Sequence, residues 1–251
     1  SNDFIPVESC PVMAPSLWEK CRSWAELAAP EKLTTLSVME NPKGEAIAYT
    51  ESNILFPSAD FAGISNGKNF SGIPHLEYET AAGIVPVAYN GFFQANCYLN
   101  ETFQSHAAKL AQSYNNILEL YAGSGFFTSA LIKQGSALNA LELNSEAAKL
   151  GRQYGYPIRS ANVSEIQKEK NHYDLIFMDP PRDGVDKKTL AAVTALAPPA
   201  IIYVSCNPMT VARDLMRLSE KYRIDRIALF DLFPPGSSTH LTLPAQGEGY
   251  V

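Results

Sequence analysis

After residue 92, short unbroken apolar runs alternate with stretches whose apolar residues recur every three or four positions. The first pattern suits buried strands and the second suits amphipathic helices. The runs at 116–121, 137–143, 158–163, 173–178 and 200–205 are expected to be strands. Those at 100–113, 126–134, 145–154, 187–196 and 210–221 are expected to be helices, with Ser145 as the N-cap of the third. Strands and helices in strict alternation imply a parallel sheet with helices on its faces. Residues 223–232 and 240–243 are expected to complete that sheet as an antiparallel pair.

Before residue 90 the alternation is absent. A helix is expected over 16–27, carrying both tryptophans, and strands over 34–49, with a turn at Asn41-Pro-Lys-Gly44, and over 52–56. The Gly-, Ser- and Asn-rich stretch 63–74 reads as loop, and 75–79 and 84–89 read as strands. The chain therefore divides into a small, mainly β region with some helix (1–90) and an α/β domain (91–251).

Composition narrows the class. With 251 residues, 46% of them hydrophobic, the chain is long enough for a substantial core. No apolar run reaches the roughly 20 residues needed to cross a bilayer. Cys10, Cys21, Cys97 and Cys206 are scattered without metal-ligand spacing, so neither a disulfide framework nor a metal site is expected, and a cytoplasmic location fits. The net charge of −6 is unlike the basic footprint of a free-standing nucleic-acid binder.

Several strand ends carry candidate chemistry. The strand ending at Tyr121 runs into Ala-Gly-Ser-Gly125, whose Gly123 and Gly125 let backbone approach a ligand closely. The next strand ends in Glu142, 17 residues after Gly125, where a carboxylate can accept both hydrogen bonds from a ribose diol. Thr128 stands where a third glycine would complete a pyrophosphate cradle, which favours an adenosine ligand without phosphates, such as S-adenosyl-L-methionine. A third strand ends in Asp179-Pro-Pro-Arg-Asp-Gly184, a stiff acidic loop suited to a cationic methyl donor. Finally, Ile201-Ile-Tyr-Val-Ser-Cys-Asn-Pro208 places a thiol, Cys206, at the carboxyl end of a strand, the edge where open α/β sheets bind ligands. Alone, such a cysteine is more often a small buried hydrophobe than a nucleophile.

Taken together, Phe92-Phe-Gln94, Leu118-Glu-Leu-Tyr-Ala-Gly-Ser-Gly125, Asp179-Pro-Pro-Arg-Asp-Gly184, Val204-Ser-Cys-Asn-Pro208 and Asp231-Leu-Phe-Pro234 resemble the RNA 5-methyluridine (uracil-C5) methyltransferase family in order and spacing. That resemblance implies a Rossmann-like class I methyltransferase with a seven-stranded sheet and a smaller α+β N-terminal region. It implies S-adenosyl-L-methionine as cofactor, bound by Gln94, Tyr121, Gly123, Gly125, Glu142 and Asp179. Cys206 would be the nucleophile, and a uridine of tRNA or rRNA the substrate. Separately from the resemblance, the lack of a long apolar run argues against a membrane partner, and a monomer is expected only by default, the oligomeric state being open on sequence. Three departures stand out. Phe126 replaces the family's Asn. Thr242 replaces the Glu that serves as general base, leaving His240 and Glu248 as substitutes. Cys10 has the context of one iron–sulfur ligand without the other three.

Two other readings stay open on sequence: methylation of an exocyclic amine, which needs no cysteine, and a noncatalytic RNA-binding descendant that keeps the cofactor site.

Overall fold

The computed structural model describes residues 9–10, 13–28, 36–51, 59–89, 91, 93–94, 96–132, 136–168 and 171–232. Close contacts divide the chain into two units. Of the described residues, those within 1–78, 87–97 and 231–232 form one unit, and those within 79–86 and 98–230 form the other.

In the first unit, helix α1 (Pro15–Ala28) precedes a four-stranded sheet of β1 (Leu36–Glu40), β2 (Ala46–Thr50), β3 (Gly63–Ser65) and β4 (Phe70–Gly72), in that spatial order. β1 and β2 are antiparallel around the turn that Asn41-Pro-Lys-Gly44 predicts, closed by Gly44 N–H donating to the Asn41 carbonyl at 2.9 Å. Trp24 packs with Ala46, Ala48, Phe61 and Ile64 to form its core. The stretch 63–74 is not simply loop. It holds β3 and β4, paired Gly63 to Gly72, and a Cβ on Gly72 would come within 2.0 Å of the Ala62 carbonyl oxygen. Glycine there serves close strand approach, which composition disguises as loop. The strand expected at 52–56 lies outside the described residues. Next along the chain come β5 (His75–Thr80) and β6 (Gly83–Ala88), a two-stranded sheet.

The second unit contains α2 (Cys97–Ala111, from Tyr98), β7 (Asn116–Leu120), α3 (Phe126–Leu131), β8 (Ala137–Glu142), α4 (Ser145–Gln153), β9 (Ile158–Ser160), a 3-10 helix (Val163–Lys168), β10 (Leu175–Met178), α5 (Lys187–Leu196), β11 (Ala200–Tyr203) and α6 (Pro208–Leu218). Its five described strands are all parallel, in the order β11-β10-β7-β8-β9. β10 is wholly buried and β7 nearly so, as their unbroken apolar runs require. Leu118, Leu120, Leu141, Ile176 and Met178 form the centre of one core, covered by Leu190, Val193 and Leu218 from the helices.

Two local expectations need correction. Asn144, not Ser145, caps α4; its side chain accepts from the amides of Glu146 and Ala147. Residues 223–232 form no strand, so five of the seven expected strands are present among the described residues. Their expected partner, 240–243, lies outside those residues. Within 223–232, Ile224, Ile227 and Leu229 are exposed instead.

Candidate active site

The order β9-β8-β7 on one side and β10-β11 on the other means that the chain reverses direction across the sheet between β7 and β10. Such a switch point opens a crevice at the carboxyl ends of the strands. Register fixes what stands there. Leu120 is paired with both Leu141 and Met178, and Met178 with Tyr203. The following residues, Glu142, Tyr121, Asp179 and Val204, therefore form one row, with Cys206 two residues beyond it. Tyr121, Glu142, Asp179 and Cys206, all singled out in the sequence, share this edge.

Tyr121 has φ 64°, a conformation costly for a residue with a large side chain, and it redirects the chain into the glycine turn. Gly123 and Gly125 also have positive φ, for different reasons. A Cβ on Gly125 would stand 2.4 Å from the Tyr156 ring, so that glycine admits close packing. A Cβ on Gly123 would meet nothing within 4 Å, so open space lies above the turn. Ser124 Oγ donates to the Pro86 carbonyl at 2.5 Å and holds the turn from its other side.

Glu142 joins this turn directly. One carboxylate oxygen accepts from Gly123 N–H at 2.8 Å and the other from Asn144 N–H at 2.7 Å. Each oxygen keeps a second lone pair for a ligand hydroxyl. Asp179 is half-buried, and burial pushes its carboxyl up to about 7. The sequence reading missed a third acid. Glu119, fully buried in β7, accepts from the Thr128 hydroxyl at 2.7 Å. Burial above all raises its carboxyl to about 8; the Thr128 hydrogen bond opposes this, and Asp179 and Glu142 add to it. A lone acid inside Ile117-Leu-Glu-Leu120 was the available signal.

Cys206 is a free, exposed thiol in the turn between β11 and α6. Asn207 caps α6, and Pro208 stands in its first turn, where no amide is needed. The Asp179-Pro-Pro loop is tied to this turn: Asn207 Nδ2 and Thr210 Oγ1 both donate to the Arg182 carbonyl at 3.2 Å. Gln94 is half-buried in the other unit, two residues before Asn96, whose side-chain amide donates to the Asp231 carbonyl at 3.3 Å. Phe126 packs edge-on against Phe127, and its carbonyl accepts from Gln104 Nε2 at 2.6 Å. Thr242, His240 and Glu248 lie outside the described residues. Among the described residues no group of three or more His, Cys, Asp or Glu is placed to hold a metal ion, and no helix is long and apolar enough to cross a membrane. Cys10 is a free thiol.

A doubly wound parallel sheet with a glycine turn after its first strand and an acid at the end of its second defines a Rossmann-like methyltransferase fold. The solved structure of the Pyrococcus abyssi tRNA (uracil-54, C5)-methyltransferase shares it, with a TM-score of 0.76, 23% identity, and coverage of 92% of this chain and 66% of that one. Residues 158–242 match the model of the tRNA (Uracil-5-)-methyltransferase family. Sequence relatives agree. The tRNA (uracil(54)-C(5))-methyltransferase of Pyrococcus horikoshii is 32% identical over 161 residues, 62% of this chain and 38% of that protein. The 23S rRNA (uracil(747)-C(5))-methyltransferase of Xenorhabdus nematophila is 25% identical over 226 residues, 86% of this chain and 56% of that protein. The resemblance to the RNA uracil-C5 methyltransferases read from the motifs is thus borne out. The chain spans between about two fifths and three fifths of the length of these relatives.

Proposed function

We propose that this chain carries the catalytic part of an S-adenosyl-L-methionine-dependent enzyme that methylates carbon 5 of a uridine in tRNA or rRNA, through a covalent bond to Cys206. The observation that carries this reading is the placement of an exposed thiol on the same sheet edge as Tyr121, Glu142 and Asp179. Neither exocyclic-amine transfer nor a noncatalytic role calls for a thiol at that edge. The division proposed is a substrate-side region over 1–90 and a transferase domain over 91–251, acting as a monomer in the cytoplasm.

The residues present fit the cofactor. The space above Gly123 admits a ligand, and Glu142 can accept from a ribose diol beside it. Tyr121 and Gly125 shape the turn, Asp179 stands on the same edge, and Gln94 is carried over as a cofactor residue from the family motif Phe92-Phe-Gln94 alone. When bound, the sulfonium supplies an electrophilic methyl group. Asp179, when ionised, places negative charge on that side of the crevice.

Carbon 5 of uracil is a weak nucleophile. The Cys206 thiolate adds to carbon 6, and the ring's electron pair moves onto carbon 5 and its conjugated carbonyl oxygen as an enolate. Carbon 5 then takes the methyl group. A base removes the carbon 5 proton, the ring double bond re-forms, and the thiolate leaves. His240 and Glu248 are the proposed acceptors of that proton, because the Thr242 hydroxyl is a poor base near neutral pH.

RNA bearing 5-fluorouridine tests the scheme, since fluorine cannot leave as a proton would. The full-length protein should form a methylated protein–RNA adduct stable to denaturation, and Cys206→Ala should form none. Methyl transfer that survives Cys206→Ala would refute the covalent route.

A further inference from the structure

Beneath the loops that carry Asp179 and Cys206 lies a buried carboxylate that the scheme above does not use. Asp214, on α6, is 0% exposed and accepts five hydrogen bonds. Oδ2 takes Val185 N–H at 2.8 Å, the Tyr203 hydroxyl at 2.8 Å and Arg213 Nη2 at 3.2 Å. Oδ1 takes Arg213 Nε at 2.9 Å and Arg217 Nη1 at 3.1 Å. These donors come from three places: the end of the Asp179-Pro-Pro loop, the strand that delivers Cys206, and the helix that follows it.

We propose that Asp214 is a positioning residue whose carboxylate locks the Asp179-Pro-Pro-Arg-Asp-Gly184 loop and the Cys206 turn into one register, so that thiol and acidic loop keep the spacing the reaction needs. The inference deepens the function proposed above and rests on it.

Three features support a purpose-built lock. Arg213, which Asp214 orients, passes the constraint on by donating through Nη2 to the Asp183 carbonyl at 2.7 Å. Gly184 has φ 74°, and a Cβ there would stand 2.5 Å from Asp214 Oδ2 and 2.6 Å from Arg213 Nη2, so the loop closes directly over the cluster. Tyr203, which donates to Asp214, packs against the same core as Tyr121 of the glycine turn. A full carboxylate is required because five donors converge on two oxygens. An amide has a single acceptor oxygen, and its NH2 would face guanidinium donors.

The test uses the full-length protein, its Asp214→Asn and Tyr203→Phe variants, and two readouts. Amide hydrogen exchange without RNA should quicken about tenfold or more at residues 183–185 and 207–210 in Asp214→Asn, less in Tyr203→Phe, and not in β7 or β8. With tRNA and rRNA offered separately, methyl transfer to the one that the wild type methylates should lose about a hundredfold in kcat in Asp214→Asn, with KM for RNA and cofactor within about threefold. Unchanged exchange in both loops of both variants would overturn the proposal, as would wild-type kcat in a variant whose loops are released. If Asp214→Asn does not fold, Tyr203→Phe carries the same comparison, with an intermediate fall in kcat expected and none overturning it. If the wild type itself transfers no methyl group, the proposed function fails, and exchange alone decides whether Asp214 holds the loops.

Discussion

Glu119 sits where a charge is hard to hold. It is 1% exposed, and burial, offset in part by Thr128, raises its carboxyl from 4.5 to about 8. Between those values the native state keeps a proton that the unfolded chain has released. Stability contributed at this site therefore falls as pH rises across that window. Glutamine keeps an acceptor for Thr128 and cannot ionise. Glu119→Gln should match the wild type in thermal unfolding near pH 4 and gain about 3 °C near pH 9. A loss at the higher pH would mean that the anion has a partner which the neutral side chain cannot replace. The same residue shows a limit of reading sequence. The glycines and Glu142 were legible because turns and strand ends announce themselves. Glu119 and Asp214 were not, because what marks them is burial, and a run of letters gives burial only by inference. Asp214 does fall between Val211 and Leu218, on the apolar face of α6, and an acid on such a face is a clue to a network beneath it.

At the scale of elements, α6 and the loop before it act together. Asn207 both caps the helix, accepting from Met209 N–H at 3.0 Å, and donates to the Arg182 carbonyl. Asn207→Ala should cost about 1 kcal/mol for the cap, read from urea unfolding. Asn207→Ser should restore the cap but not the tie to Arg182, so it should recover much of the stability while leaving the loop amides in faster exchange. Equal recovery of both would show that the tie contributes nothing. Long, periodic elements such as α5 and β8 were legible almost to the residue, because a helix or strand with one buried face writes its period into the sequence. β3 and β4 were not, since three residues are too few to show alternation. The missing strand at 223–232 is the reverse case: the apolar residues are present, but a strand needs a neighbour, and no described segment supplies one.

For the molecule as a whole, charge opposes the proposed partner. Acidic residues outnumber basic ones by 26 to 20, whereas RNA binding draws on counterion release at sites of positive charge. Arg152, Arg159, Arg182, Arg213, Arg217 and Arg223 are the candidates for phosphate contact, but they are not equivalent. Arg213 and Arg217 are both paired with Asp214, at 2.9 Å and 3.1 Å, so part of their charge is already met by a buried carboxylate. Such a pair has less to gain from a phosphate than a cation at the surface. Arg152, Arg159, Arg182 and Arg223 are all exposed and should carry most of the electrostatic contact. For this chain binding tRNA, log K against log salt should then be shallower by about 1 in Arg182→Ala, with binding to all RNA sequences weakened alike. Arg217→Ala should change that slope by less than about 0.5, because its removal leaves Asp214 paired with Arg213. A full unit lost in Arg217→Ala would mean that Arg217 turns outward on binding. The carboxylate under the Cys206 turn would then give up one of its five hydrogen bonds whenever RNA arrives, with Val185, Tyr203 and Arg213 still holding it.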